Sequence, residues 1–212
     1  MGRLVDSLAA SHGFEVAGRV DEDNAGESWP EADVAIDFSV ASAVPANIAR
    51  LAQRGTNVVI GTTGWQDREA EIRLLVAQQG IGVVAAANFA LGVNLFSAIV
   101  ARAAELMASR PEFGAWIHEA HHAAKVDAPS GTALALRAAM EQAGYQAAID
   151  VASTRVGSIP GTHTVGFDSA ADTITLTHTT RDRSVFARGA LEAARWLHGR
   201  RGWFSMKDVL GL

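Results

Sequence analysis

Two rhythms of apolar and polar positions divide the chain. In its N-terminal part, short unbroken apolar runs alternate with stretches whose apolar positions recur every three or four residues. Leu4–Ser11 predicts a helix with Leu4, Leu8 and Ala9 on one face and Gly13 as its stop. Phe14–Val20 predicts a short strand closed by Asp21, and Val34–Phe38 a second strand followed by an amphipathic stretch over Ala41–Gln53. Asn57–Ile60 predicts a third strand running into Gly61-Thr62-Thr63-Gly64, followed by a helix over Asp67–Gln79 and a strand over Gly82–Ala86. Apolar runs separated by helices of this kind signal parallel βαβ units. Ligands of such sheets bind where strands end and helices begin.

The second rhythm has period two. After a helix over Val93–Ser109, an extended stretch over Phe113–Glu119 and a helix over Ser130–Gln142 behind Pro129, three alternating segments follow: Ile149–Arg155, Thr162–Phe167 and Asp172–His178. Their threonine-rich alternation predicts an antiparallel or mixed sheet with one wetter face. A helix over Ser184–His198 and the tail Trp203–Leu210 close the chain. The expected class is α/β: a nucleotide-type, Rossmann-like parallel-sheet domain of residues 1–90 and 190–212, and an α+β domain of residues 91–189.

Composition narrows the function classes. Of 212 residues, 49% are hydrophobic and 19% charged, enough apolar material for a sizeable core. A formal charge of −5 argues against a partner recognised through a phosphate backbone, so no nucleic acid is expected. The chain has no cysteine, which removes disulfides, thiolate metal sites and cysteine nucleophiles. Its start shows no signal-peptide pattern, and the apolar stretch Ile81–Val100 is interrupted by Gly82, Asn88, Gly92 and Asn94. A cytoplasmic protein with no membrane partner is the expectation.

The candidate chemistry concentrates in His118-Glu119-Ala120-His121-His122-Ala123-Ala124-Lys125-Val126-Asp127-Ala128-Pro129-Ser130-Gly131-Thr132, which holds three of the seven histidines. Ser130 can cap the helix that follows, whose first N–H groups then suit a carboxylate or phosphate. Lys125 adds positive charge, and His121 and His122 can exchange protons near neutral pH. The set suits a small dianion that must be protonated; the plainer alternative is a cap beside solvated histidines. His118-Glu119-x-x-His122 also satisfies the H-E-x-x-H zinc pattern, which requires a helix, whereas Phe113–Glu119 predicts a strand. Gly61, Thr62 and Thr63 follow a strand and precede a helix, where they either meet a nucleotide or form an ordinary turn. Ala86-Ala87-Asn88-Phe89 ends the next strand on the same edge. Asp21 stands where an acid in such domains accepts ribose hydroxyls.

Glu119-Ala120-His121-His122-x-x-Lys125-x-Asp127-Ala128-Pro129-Ser130-Gly131-Thr132-Ala133 resembles the signature of the 4-hydroxy-tetrahydrodipicolinate (dihydrodipicolinate) reductase family of lysine and diaminopimelate biosynthesis. Gly61–Gly64, Ala87-Asn88-Phe89 with Gly92-Val93-Asn94, Arg155-x-Gly157 through Gly161-x-His163, and the ending from Trp196-Leu197 to Leu210 are similar to that family in the same order. The resemblance implies an oxidoreductase in which NADH or NADPH delivers hydride to a small cyclic dicarboxylate with loss of water. It makes His121 the general acid/base and Lys125 the proton donor. His122, Ser130, Gly131 and Thr132 would hold a substrate carboxylate; Asp21, Gly61, Thr62, Thr63, Ala86, Ala87, Asn88 and Phe89 would line the cofactor. It also implies a homotetramer joined through the sheet of the second, substrate-binding domain. The family opens with a strand and a glycine-rich turn ending Gly-Arg-Met-Gly-Arg, of which Met1-Gly2-Arg3 matches only the last three residues. The other readings carried forward are a non-catalytic or cofactor-impaired remnant that still oligomerises, and a zinc hydrolase using His118, Glu119 and His122.

Overall fold

A computed structural model describes residues 1–212 and contains two sheets, each in its own compact unit. The first unit comprises Met1–Leu91 and Ser184–Leu212. Its parallel strands β1 (Val34–Asp37), β2 (Asn57–Ile60) and β3 (Gly82–Ala85) lie side by side in chain order, joined through α2 (Val44–Gln53) and α3 (Glu69–Gln79). The apolar runs are unbroken because both faces are covered. Val58, Ile60 and Val83 face Ile48, Leu51, Ile72 and Val76 of the two crossover helices.

The C-terminal segment returns to this sheet. Val59 and Val84 pack on the opposite face against Ala190, Ala193, Ala194 and Leu197 of a long helix, Ser184–Leu197. The helix approaches so closely that a Cβ on Gly189 would lie 1.6 Å from the Phe89 carbonyl oxygen. Gly202–Phe204 then pairs in parallel with β3 as the fourth strand, and Met206–Leu210 forms a last helical turn with a Ser205–Asp208 capping box. The opening helix, α1 (Gly2–Ala9), lies beside the long return helix and runs into a 3-10 turn, Ala10–His12, that stops at Gly13 in the left-handed conformation.

One sequence expectation is corrected in this unit. Phe14–Val20 forms no strand, and no regular element occurs between Gly13 and Asp33. A strand persists through its ladder of partner N–H and C=O groups. β1 is the last strand on its side of the sheet, and Phe14–Val20 pairs with neither it nor any other strand, so it gains no such ladder. Side chains hold the segment instead. Trp29 is buried under Arg50, whose guanidinium stacks 4.4 Å from the ring centre and donates to the carbonyls of Ala25 and Glu27.

The second unit, Gly92–Arg183, is built on a mixed sheet. β4 (Gly114–His121) pairs in parallel with β5 (Ile149–Arg155) and antiparallel with β6 (Thr162–Asp168), which pairs antiparallel with β7 (Thr173–Thr179). The parallel pair follows from the connection, since β4 reaches β5 through a crossover helix, α5 (Gly131–Gln142). One sheet face packs Ala115, Ile117, Val165 and Phe167 against Leu136 and Met140 of α5 and Phe96, Val100 and Ala104 of α4 (Leu91–Met107). The other face carries Trp116, His118 and paired threonines, with Thr164 and Thr177 hydroxyls 3.1 Å apart. No helix is long and apolar enough to cross a membrane.

Candidate active site

Strand alternation places the polar cluster. Along β4, Ala115, Ile117, Glu119 and His121 are buried and face the helices, while Trp116, His118 and Ala120 face the other way. Register extends the pattern: Glu119 lies opposite Ser153 and His163, His121 opposite Arg155, and His163 opposite His178. The helix-facing side of the sheet is therefore apolar at one end and polar at the other.

Glu119 has no exposed surface. Its Oε1 accepts from Arg155 Nη2 at 2.6 Å and the Ser130 N–H at 3.2 Å; its Oε2 accepts from Arg155 Nη1 at 2.9 Å and His121 Nδ1. Burial alone would raise the carboxyl, but bonds from Arg155, Ser153, His121 and the Ser130 N–H outweigh it and hold the group at about 2. His163 is only 4% exposed. Burial first, then the neighbouring His121, lowers it to about 4, so it is neutral. Its Nε2 lies 3.1 Å from Ser130 Oγ, which accepts the Ala133 N–H as the α5 cap.

The predicted substrate residues surround this cluster. His121 is buried with its ring 5.1 Å, centre to centre, from that of His163. His122 is half-buried just past the end of β4, and the Lys125 N–H donates to its carbonyl at 3.1 Å. Lys125 Nζ donates to Asp127 Oδ1 at 2.6 Å, and this bond above all holds Asp127 below the usual carboxylate range. Ser130, Gly131 and Thr132 form the first turn of α5, with Ser130 buried and Gly131 exposed.

In the first unit, Gly61, Thr62 and Thr63 line a cleft of about 350 Å³ with Met1, Phe38, Ser39, Val40 and Ala41. Met1 makes no side-chain cap at the start of α1, so the helix opens here with N–H groups that have no intrahelical partner. Such a terminus beside a glycine–threonine turn fits a dinucleotide's pyrophosphate. Asp37, 8% exposed, shapes the cleft: its carboxylate accepts the Ser39 N–H and hydroxyl, the Thr62 hydroxyl and Asn47 Nδ2. Ala86 and Ala87 line a neighbouring cleft of about 380 Å³ with Thr62, Trp65 and Trp203. Asn88 Oδ1 accepts the Ala90 N–H, and Phe89 is buried edge-on to Phe38 with ring centres 6.2 Å apart. Asp21 lines neither cleft. It is exposed in a turn, its N–H donating to Asn24 Oδ1 and its Oδ1 accepting from the Asp23 N–H, because the strand expected to carry it does not form.

The zinc reading fails on geometry. His118 is on the opposite sheet face from Glu119, bonded to Thr154 Oγ1 at 2.9 Å. His118 and His122 are four extended residues apart, about 13 Å, whereas ligands sharing a zinc each sit about 2 Å from it. Sequence reasoning gave no role to Arg155, His163 or Asp37. The first two stand in a family-like motif, but their place beside Glu119 and His121 follows only from strand register; Asp37 carried the weak signal of an acid ending an apolar run.

Comparison with known proteins identifies the family. Residues 1–89 match the family model described as dihydrodipicolinate reductase, N-terminus, and residues 92–210 match its C-terminus. The chain is 37% identical over 99% of its length to 4-hydroxy-tetrahydrodipicolinate reductase of Christiangramia forsetii, covering 93% of that protein. It is 41% identical over its whole length to that of Acidiphilium cryptum, covering 94%, and 45% identical over 84% of its length to that of Gluconobacter oxydans, covering 77%. The fold matches dipicolinate-bound dihydrodipicolinate reductase from Paenisporosarcina sp. TG-14 with a TM-score of 0.75 at 20% identity, covering 95% of this chain and 93% of that one. With both halves matched in order, the chain belongs to the dihydrodipicolinate reductase family.

Proposed function

We propose that this chain reduces 4-hydroxy-tetrahydrodipicolinate to tetrahydrodipicolinate, consuming one reduced nicotinamide cofactor and one proton and releasing water. The observation that carries the reading is the corner formed by Lys125 and the first turn of α5. There the Asp127 carboxylate already bonds the Lys125 ammonium just ahead of α5, so the corner accepts an oxyanion. A substrate carboxylate would take its place, with His122, Ser130 and Thr132 as further donors.

Gly61, Thr62 and Thr63 with the start of α1 would hold the cofactor's pyrophosphate, and Ala86–Phe89 would border its reactive end. When bound, NADH or NADPH supplies the hydride. The protein's part is to manage protons and charge. Lys125 neutralises the dianion and gives a proton, while His121 acts as general acid/base. Asp21, exposed in its turn, remains the candidate for the ribose hydroxyls. Domain roles follow: Met1–Leu91 with Ser184–Leu212 binds the dinucleotide, and Gly92–Arg183 binds the substrate. A cytoplasmic homotetramer joined through the sheet face carrying Trp116, Thr164 and Thr177 completes the reading.

The test is the double substitution His121→Ala with Lys125→Ala, assayed for NADH oxidation with 4-hydroxy-tetrahydrodipicolinate and checked for fold by circular dichroism. Abolished turnover in a folded protein is the expected result; turnover near that of the unsubstituted chain would remove both residues from the chemistry.

A further inference from the structure

Glu119 has no part in the reading above, yet its carboxylate gathers Arg155, the Ser130 N–H and His121 Nδ1 in a fully buried position. An ionised carboxylate only accepts hydrogen bonds. His121 Nδ1 must therefore carry a hydrogen, and Nε2 is the nitrogen left to exchange the mobile proton. Nε2 lies against Gly161, 3.1 Å from where a Cβ there would stand. We infer that Glu119 is a positioning residue: it fixes His121 in the Nδ1–H tautomer and, through its other oxygen, ties down the turn that takes the substrate carboxylate. One buried charge thereby sets both the proton-handling nitrogen and the anion anchor. The inference rests on the roles proposed for His121 and Ser130.

The charged surroundings are consistent with this. Arg155 on β5 meets Glu119 through two parallel bonds, so the carboxylate stays ionised without depending on a proton from His121. His163 on β6 faces His121, Glu119, His178 and Lys125 and remains neutral, so it adds no competing charge. Its bond to Ser130 Oγ holds the same turn from the other side.

Glu119→Gln tests the role with little change of shape. Each oxygen serves one Arg155 nitrogen, so the remaining donors decide the orientation: the Ser130 N–H can only donate whereas an imidazole nitrogen can also accept, and the amide oxygen takes the Oε1 side. That leaves the NH₂ facing His121 Nδ1, which must then accept, and the tautomer reverses to Nε2–H. We expect ¹⁵N NMR of histidine-labelled protein to show Nδ1 protonated in the unsubstituted chain and Nε2 protonated in Glu119→Gln. In the same variant kcat should fall by roughly 100-fold or more, the loss of a general acid/base, with KM for NADH unchanged. A retained Nδ1–H tautomer, or kcat within a factor of about two, overturns the inference. If the unbalanced Arg155 charge prevents folding, Glu119→Gln with Arg155→Gln removes both charges, and the same two outcomes decide. The NMR arm needs no turnover: an inactive unsubstituted chain counts against the reductase reading, whereas an unreversed tautomer counts against Glu119 alone.

Discussion

A carboxylate with no access to water is tolerated only where donors replace that water, and Glu119 has them on both oxygens. Its value of about 2, against an ordinary 4.5, means the unfolded chain takes up the proton first as pH falls, so the stability it contributes above 4.5 is lost on the way to 2. His163 acts one window higher. Burial keeps its imidazole neutral down to about 4, whereas the unfolded chain protonates from 6.5, so folded stability declines as pH falls between those values. We expect His163→Asn to lose about 2 kcal/mol less than the unsubstituted chain between about pH 7 and about pH 4.5. Urea titrations at both pH values measure this, and equal losses would contradict it. The sequence already held His121, Lys125 and Ser130 in one continuous stretch. Arg155 and His163 reach the same patch through strand pairing, which a single sequence does not specify.

Elements follow their local patterns wherever a partner is available. β2 is predicted residue for residue, and β5, β6 and β7 follow the period-two alternation to within a residue or two. Phe14–Val20 has the same kind of pattern but pairs with no strand, and it stays irregular. Strand formation is decided by the sheet and not by the segment. The mixed direction of the second sheet is likewise fixed by the α5 crossover, which alternation alone leaves open. Helix contact gives a test at this scale. Glycine-to-alanine at an open helical site stabilises by up to about 1 kcal/mol, but Gly189 has the Phe89 carbonyl where its Cβ would go. Gly189→Ala should therefore destabilise by about 2 kcal/mol and lower Tm by roughly 4–8 °C. A variant as stable as the original would show that the contact between this helix and the Phe89 backbone is loose.

For the molecule as a whole, the family's two domain models fall on the chain in order, one matching residues 1–89 and the other residues 92–210. Each unit carries a feature suited to one partner. The first has an uncapped helix start beside the Gly61–Thr63 turn, and the second a lysine already bonded to a carboxylate just ahead of a helix. Both sites should work in this chain, and calorimetric titration with NADH, with and without pyridine-2,6-dicarboxylate, reads the two together. Saturable binding of each, with tighter NADH binding in the presence of the dicarboxylate, is the expected result; dicarboxylate binding with no NADH binding would show that the cofactor site does not work.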